Sequence, residues 1–294
     1  MTFSSYLASR RDLIEKTLES LITQKEGLPH STLFEAARYS LLGKAKRLRP
    51  LLALVTAEAF GAHIEDCLKP VCALELLHTY SLIHDDLPCM DDDDMRRGRP
   101  TSHKVFGEAV AVLSGDYLLT YAFEVIATCQ NITAEQKVEL IRVLSQKSGA
   151  EGMVGGQLID ILNEGKQIDW NTLEFIHRYK TAALISASLE FGAILASASK
   201  EDREKLQSIG NAAGISFQIV DDILDVTSSE KELGKPVFSD EANAKCTAVT
   251  LLGIEKAQQT AQALMLSVKN DCKDLSISST AIEEMLQKLL DRNF

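Results

Sequence analysis

The sequence predicts an all-α fold, and two patterns support this prediction. The six prolines leave a long stretch between Pro100 and Pro236 without one, which suits helices because proline breaks their interiors. Apolar residues also recur at i, i+3 and i+4, whereas the alternation typical of strands is hard to find. No linker, composition shift or repeat divides the chain, so we expect one domain covering residues 1–294.

Start and stop signals place the individual helices. Ser31 is a plausible N-cap, Gly61 a C-terminal signal, and Pro70 suits the first turn of a helix that carries Asp85. The other expected helices cover residues 5–22, 31–42, about 49–60, 105–128, 134–149, 152–163, 171–198, 202–226, 241–269 and 280–291.

Composition narrows the class of protein. The chain has 294 residues, 45% of them hydrophobic, and a formal net charge of −11, which argues against a general nucleic-acid partner. Its six cysteines form no CxxC pair, as expected for reduced thiols. The N-terminus lacks a signal-like apolar run, and we find no continuous apolar stretch of about 20 residues to span a membrane. We therefore expect a cytoplasmic protein without membrane insertion.

The most unusual stretch runs from His78 to Arg99. Six aspartates lie within ten residues, and three arginines follow them: Asp85, Asp86, Asp91, Asp92, Asp93 and Asp94, then Arg96, Arg97 and Arg99. Such a block suits a hard cation such as Mg²⁺, and the arginines could hold a phosphate group. A solvated acidic loop with local ion pairs is the alternative.

The spacing of the acids requires a bend. Asp85 and Asp91 are six residues apart, about 240° around an unbroken helix, but Pro88 can end the helix and let Asp91 turn back. Asp221 and Asp225 form a second motif on one face of an apolar helix, flanked by Asp222. Two such helix ends facing one cavity could hold Mg²⁺ ions with a diphosphate between them.

Basic residues supply candidate anion sites. Lys44, Lys46, Arg47 and Arg49 precede Pro50 at a helix start, where either a second anion site or a solvated basic turn is consistent with the sequence. Weaker signals are Arg178, the pair Lys180-Thr181, and Lys235, which follows Gly234.

Taken together, these segments resemble one family. DDLPCMDDDDMRRGRP and FQIVDDILD, with AKRLRP, LELLHTYSLIHDD, GMVGGQLID, RYKTAAL and LGKPVFSD in the same order, resemble the trans-isoprenyl diphosphate synthases, most closely the bacterial-type farnesyl diphosphate synthases. The resemblance covers roughly residues 30–255. It implies a helical bundle around a central cavity and a homodimer.

The resemblance also implies residue roles. Mg²⁺, or Mn²⁺, would be held by Asp85, Asp86 and Asp91 on one side and by Asp221, Asp222 and Asp225 on the other. The diphosphate of an allylic substrate would contact Arg96, Lys180 and Lys235. Isopentenyl diphosphate would bind Lys46, Arg49, His78 and Arg97. Thr181 and Gln218 would direct oxygen atoms at the reacting carbons.

The resemblance further implies that product length would depend on a bulky side chain in the helix that carries Asp85. An aromatic residue at Tyr80 with the insertion Pro88-Cys89 resembles a C15 stop, although helical geometry places Ser81 more directly over Asp85. A geranylgeranyl diphosphate synthase, a non-catalytic partner subunit and a terpene cyclase or head-to-head synthase are the alternatives. Gln157 and Asp160 are either supporting or packing residues, and we interpret His84 as structural.

Overall fold

Helices make up nearly all of the regular structure, as the proline spacing predicted. A computed structural model describes residues 2–23, 25, 27–227 and 246–291. The elements are α1 (Phe3–Leu21), α2 (Ser31–Leu41), α3 (Leu48–Ala59), α4 (Ile64–Asp85), β1 (Met95–Arg96), β2 (Arg99–Pro100), α5 (Ser102–Phe106), α6 (Glu108–Ala127), α7 (Ala134–Ser148), α8 (Met153–Leu162), α9 (Trp170–Ile176), a π-helical segment (His177–Ala182), α10 (Ala183–Leu195), α11 (Lys200–Thr227), α12 (Ala248–Leu252), α13 (Ile254–Lys273) and α14 (Thr280–Asp291). The all-α prediction is confirmed.

Several predicted helix caps and boundaries are wrong. The N-cap of α2 is His30 and not Ser31, which is already the first helical residue. Pro70 lies seven residues into α4, not in its first turn, since Glu65 and Asp66 favour an earlier start at the positive end of the helix dipole. Gly107, with φ of 84°, separates α5 from α6, and Gly253, with φ of 77°, separates α12 from α13. The predicted helix from 241 falls partly outside the described residues.

The chain forms two compact units, Met1–Ile141 and Arg142–Phe294, with the boundary inside α7. In the first unit, α4 is the central helix and packs against α1, α2, α3 and α6. Its residues from Val71 to Leu77 are all buried. The acidic stretch therefore begins where the central helix of this unit ends.

In the second unit, α11 has the central position and packs against α10, the π-helical segment, α12, α13 and α14. Ile215, Ile219 and Ile223 recur every four residues along its buried face and contact a cluster that includes Ala248 and Ala257. Asp221 to Asp225 thus lie near the C-terminal end of this unit's central helix. The single-domain expectation stays a prediction.

α6 is the one described helix that is long and apolar enough to cross a membrane by length and composition, although Asp116 and Glu124 interrupt its apolar residues. A core helix of a globular protein meets the same criterion, and Ala111, Leu118 and Ala122 of α6 are fully buried. The absence of membrane insertion stays a prediction.

Candidate active site

The chain turns back on itself directly after α4. The backbone N–H of Asp91 donates to the carbonyl oxygen of Asp85 at 2.9 Å, and Met90 and Asp92 donate to the carbonyl oxygen of Leu87. These bonds close the turn that contains Pro88. The prediction that Asp91 returns towards Asp85 is confirmed, so both acids lie at the C-terminal end of α4.

A short hairpin then positions the arginines. β1 pairs antiparallel with β2, and the turn residues Arg97 and Gly98 have φ of 54° and 75°, the signs of a type I′ turn. Arg96 donates through Nε to Oδ1 of Asp86 at 2.7 Å and through Nη2 to Oδ2 of Asp93 at 2.9 Å. The buried Asp86 carboxylate therefore orients Arg96, and its role as a metal ligand stays a prediction.

Tyr39 of α2 holds the hairpin against α2. Its hydroxyl donates to the carbonyl oxygen of Pro100 at 2.8 Å, and the guanidinium of Arg99 lies 4.0 Å from the centre of its ring, close enough for a cation–π interaction. Sequence reasoning missed Tyr39, because nothing in its local pattern distinguishes it from a packing tyrosine.

The first unit contains a basic cavity of about 480 Å³. It is lined by all four residues predicted to bind isopentenyl diphosphate and by their neighbours: Lys46, Arg49, His78 and Arg97, with Lys44, Ala45, Arg47, Leu48 and Glu75. Residues separated by more than fifty positions, such as Lys46 and Arg97, thus meet at one surface. The structure brings this predicted set together.

Arg47 differs from the other basic residues of its cluster. It is buried and pairs with Oε1 of Glu15 at 2.8 Å and Oε1 of Glu75 at 2.9 Å, while its Nη2 also donates to the carbonyl oxygen of Leu41. Arg47 therefore holds the loop before α3 in place. Sequence reasoning missed Glu75, although a lone carboxylate in the apolar run VCALELL is a signal that could have identified it.

The cavity carries an excess of positive potential. Burial lowers the pKa of Arg49 to about 10, with Glu75 raising it and Arg97 lowering it further. Burial and the nearby Arg49, Arg97, Arg96 and Arg47 hold the pKa of His78 well below its usual value of 6.5. The Nε of Arg49 is buried and has no hydrogen-bond partner among the described residues. Such a site favours an anion.

In the second unit, Asp222 is an anchor for the chain that follows. Its side chain is buried, its Oδ2 accepts the backbone N–H of Ala248 at 2.7 Å, and Nε2 of His177 lies 3.6 Å from the same oxygen. Its Oδ1 accepts from Gln218 at 3.3 Å. Both oxygens therefore have protein partners, whereas the neighbouring Asp221 is only partly buried.

Lys180 and Thr181 lie in the π-helical segment between α9 and α10, a type of irregularity that often occurs at functional sites. Nζ of Lys180 pairs with Oδ2 of Asp160 at 2.6 Å, and the hydroxyl of Thr181 donates to Oε1 of Gln218 at 3.0 Å. A Cβ at Gly156 would overlap the backbone of Lys180. α8 can therefore approach this segment closely, and Asp160 supports Lys180.

Comparison with known proteins identifies the family. A family model described as polyprenyl synthetase matches residues 30–285. The chain belongs to the polyprenyl synthetase family. It is 44% identical to the farnesyl diphosphate synthase of Bacillus subtilis over 99% of this chain and 98% of that protein. It is 45% identical to a chloroplastic geranylgeranyl pyrophosphate synthase of Catharanthus roseus, covering 89% of this chain and 73% of that protein.

A solved structure with a similar fold is the Helicobacter pylori geranyltransferase complexed with magnesium and isoprenyl diphosphate. It has a TM-score of 0.85 and 36% identity, and the match covers 99% of this chain and 97% of that chain. The sequence-based assignment to this family is confirmed. Lys235, assigned to the allylic diphosphate, lies outside the described residues.

The two candidate residues for product length lie on α4. Tyr80 is buried, and its ring packs edge-on against His84 with the ring centres 5.5 Å apart. Burial and the nearby Asp85 raise the pKa of Tyr80 to about 12, so its phenol stays neutral. Ser81 donates its hydroxyl to the carbonyl oxygen of His78 at 2.9 Å. Their role in this polyprenyl synthetase stays a prediction.

Gln157 of α8 is another residue of interest in the second unit. Both polar atoms of its amide are buried and lack a hydrogen-bond partner among the described residues. An unsatisfied buried amide is costly, and the choice between a supporting and a packing role for Gln157 stays a prediction. No three His, Cys, Asp or Glu side chains converge within the described residues.

Proposed function

We propose that the protein is a prenyltransferase that condenses isopentenyl diphosphate head-to-tail with dimethylallyl and then geranyl diphosphate to give farnesyl diphosphate. The observation that carries this proposal is the basic cavity around Lys46, Arg49, His78 and Arg97. Its lining includes no residue of either proposed metal-binding aspartate motif, which supports a second, metal-free diphosphate site. Elongation needs two diphosphate substrates, whereas a cyclase needs one.

The allylic diphosphate would bind with Mg²⁺, or with Mn²⁺. Asp85, Asp91 and Asp221 offer the carboxylate oxygens that such ions prefer. When bound, a divalent cation offsets the charge that develops on the leaving diphosphate. Asp86, Asp222 and Asp225 would support these ligands, and Asp86 and Asp222 already have protein partners.

The cationic residues near the allylic diphosphate would be Arg96, Lys180 and Lys235. In the described part of the chain, Asp86 orients Arg96 and Asp160 orients Lys180. An arriving diphosphate would exchange these carboxylate contacts for phosphate oxygens, because its charge is greater. The arginine and lysine thereby stabilise the leaving group as the allylic carbon–oxygen bond breaks.

Neutral dipoles would stabilise the allylic cation. The hydroxyl of Thr181 donates a hydrogen bond to Oε1 of Gln218, so the lone pairs on the Thr181 oxygen remain available for the developing positive charge. The alkene of isopentenyl diphosphate then attacks the cation. The condensed intermediate then loses a proton, which would pass to the departed diphosphate, since no dedicated side-chain base stands out.

We further propose a cytoplasmic homodimer made of single catalytic domains. Val112 and Leu113 of α6 are 38% and 58% exposed, an apolar surface that a second copy could cover. The acidic net charge suits a protein that does not bind nucleic acid. Light scattering of the purified protein tests the dimer, and a monomeric mass would contradict it.

A geranylgeranyl product is the second candidate, favoured by the identity to plant geranylgeranyl pyrophosphate synthases. The test incubates the protein with Mg²⁺, isopentenyl diphosphate and, in turn, dimethylallyl, geranyl or farnesyl diphosphate. The products are dephosphorylated and separated by chromatography, with chelator-treated samples as controls. We expect C15 to predominate. A mainly C20 product would support the second candidate. If no primer gives a product, the protein is better explained as a non-catalytic partner subunit.

A further inference from the structure

The helix that carries Tyr80 is in unusually close contact with α6 at one point. A Cβ added to Gly115 would overlap Nε2 and Cδ2 of the His84 ring. Since only glycine allows this approach, the sequence of α6 permits the imidazole to lie directly against the α6 backbone. The contact is therefore specific to this pair of positions.

Two further contacts hold the imidazole. Nε2 of His84 lies 3.0 Å from the carbonyl oxygen of Val112, a hydrogen-bond distance, and 3.9 Å from Oδ1 of Asp116. The His84 side chain remains 27% exposed, so burial alone does not fix its position. α6 therefore determines where this ring lies through the backbone carbonyl of Val112 and the space that Gly115 leaves.

His84 also contacts Tyr80, which lies one helical turn earlier on α4. The planes of the two rings meet at 85°, an edge-to-face arrangement that favours aromatic pairs. Tyr80 is 6% exposed, and among the described residues His84 is the one aromatic ring that packs against it. Any displacement of the imidazole thus acts directly on the Tyr80 ring.

We propose that His84, held by Gly115 and Val112, positions Tyr80 and thereby sets the product length of this prenyltransferase. The inference rests on the proposed function and on the predicted role of Tyr80 as the residue that stops chain growth at C15. His84 acts through Tyr80 and not on the substrate, so it is a positioning residue. Loss of its ring leaves the tunnel end less well supported.

The first test replaces His84 and measures the ratio of products longer than C15 to C15. We expect His84→Ala to raise this ratio about fivefold, the change that corresponds to an aromatic edge contact of about 1 kcal/mol. His84→Phe keeps an aromatic ring and should stay near the wild-type ratio. His63→Ala, which changes an exposed histidine just before α4, is the matched control and should leave the ratio unchanged.

A double mutant isolates the path through Tyr80. In a Tyr80→Ala background, His84→Ala should have no further effect on product length, because the residue it positions is already gone. Gly115→Ala provides a second variant, which keeps both His84 and Tyr80. Its added methyl group should press His84 against Tyr80 and increase the share of the C10 product.

The outcomes separate the two proposals. If the wild type makes no prenyl product with any primer, the proposed function fails. If the wild type elongates but His84→Ala keeps the wild-type ratio, the positioning role alone is overturned. Equal effects of His84→Ala with and without Tyr80 also overturn it. Should His84→Ala not fold, an unchanged product distribution in Gly115→Ala gives the same refutation.

Discussion

Removing the charge of Glu75 should destabilise the fold more than removing that of Glu15, although both carboxylates bind the same arginine. The Glu75 side chain is 2% exposed and the Arg47 side chain is fully buried, with 2.9 Å between Oε1 and Nη1. Breaking a buried pair by removing one partner costs about 3–5 kcal/mol. The variant Glu75→Gln keeps a hydrogen-bond acceptor, so we expect about 2 kcal/mol, or a fall in Tm of about 5 °C.

Glu15→Gln is the matched control. Its side chain is 34% exposed, and water can compensate for the lost charge, so the expected cost is about 1 kcal/mol or less. Urea unfolding followed by circular dichroism compares the two variants with the wild type. Equal losses in both variants, or a Glu75→Gln midpoint that matches the wild type, would refute the argument from burial.

The substitution Glu75→Gln should destabilise the fold but strengthen the binding of isopentenyl diphosphate. Glu75 is the one carboxylate that lines the basic cavity, so its loss increases the positive potential there. We expect the KM for isopentenyl diphosphate to fall while the KM for the allylic substrate stays constant. A rise in the first KM would mean that Glu75 matters mainly by shaping the cavity.

Three further predictions concern the site. Tyr80→Ala should yield products longer than C15, and an unchanged chromatogram of the dephosphorylated products would exclude Tyr80 as the tunnel end. Asp222→Ala should lower the Tm because the N–H of Ala248 loses its acceptor, whereas Asp221→Asn should reduce turnover at an unchanged Tm; equal Tm losses would contradict this division. Since the folded-state pKa of His78 lies below 6.5, the unfolded chain takes up the proton first, so stability should fall as the pH drops through about 6.5. The His78→Gln variant should flatten this slope. By NMR, isopentenyl diphosphate should raise the pKa of His78, and a constant pKa would place the ligand elsewhere.

The sequence was most informative where a residue type and its spacing imply one chemistry. The return of Asp91 towards Asp85 followed from Pro88 and a six-residue spacing, and the hydrogen bond between their backbones confirms it. The basic set of Lys46, Arg49, His78 and Arg97 required the family resemblance, because no periodicity joins positions so far apart in the chain.

The sequence was least informative where tertiary contacts decide. The sequence predicts that Pro70 starts a helix. Burial of Cys67 and the acidic first turn instead let α4 begin six residues earlier, at Ile64. Arg47 is buried in ion pairs, unlike the basic residues next to it in the sequence. This difference depends on Glu15 and Glu75, which lie on other helices. The contact between Gly115 and His84 depends on how α4 and α6 pack, and no local pattern reports it.

The hairpin turn also has a consequence for how this chain can change. Arg97 adopts φ of 54° without being glycine, a conformation that costs most residues about 1 kcal/mol or more. Its replacement by glycine should therefore make the protein more heat-resistant and a poorer binder of isopentenyl diphosphate. Arginine at this position therefore combines a strained backbone with a side chain that lines the basic cavity.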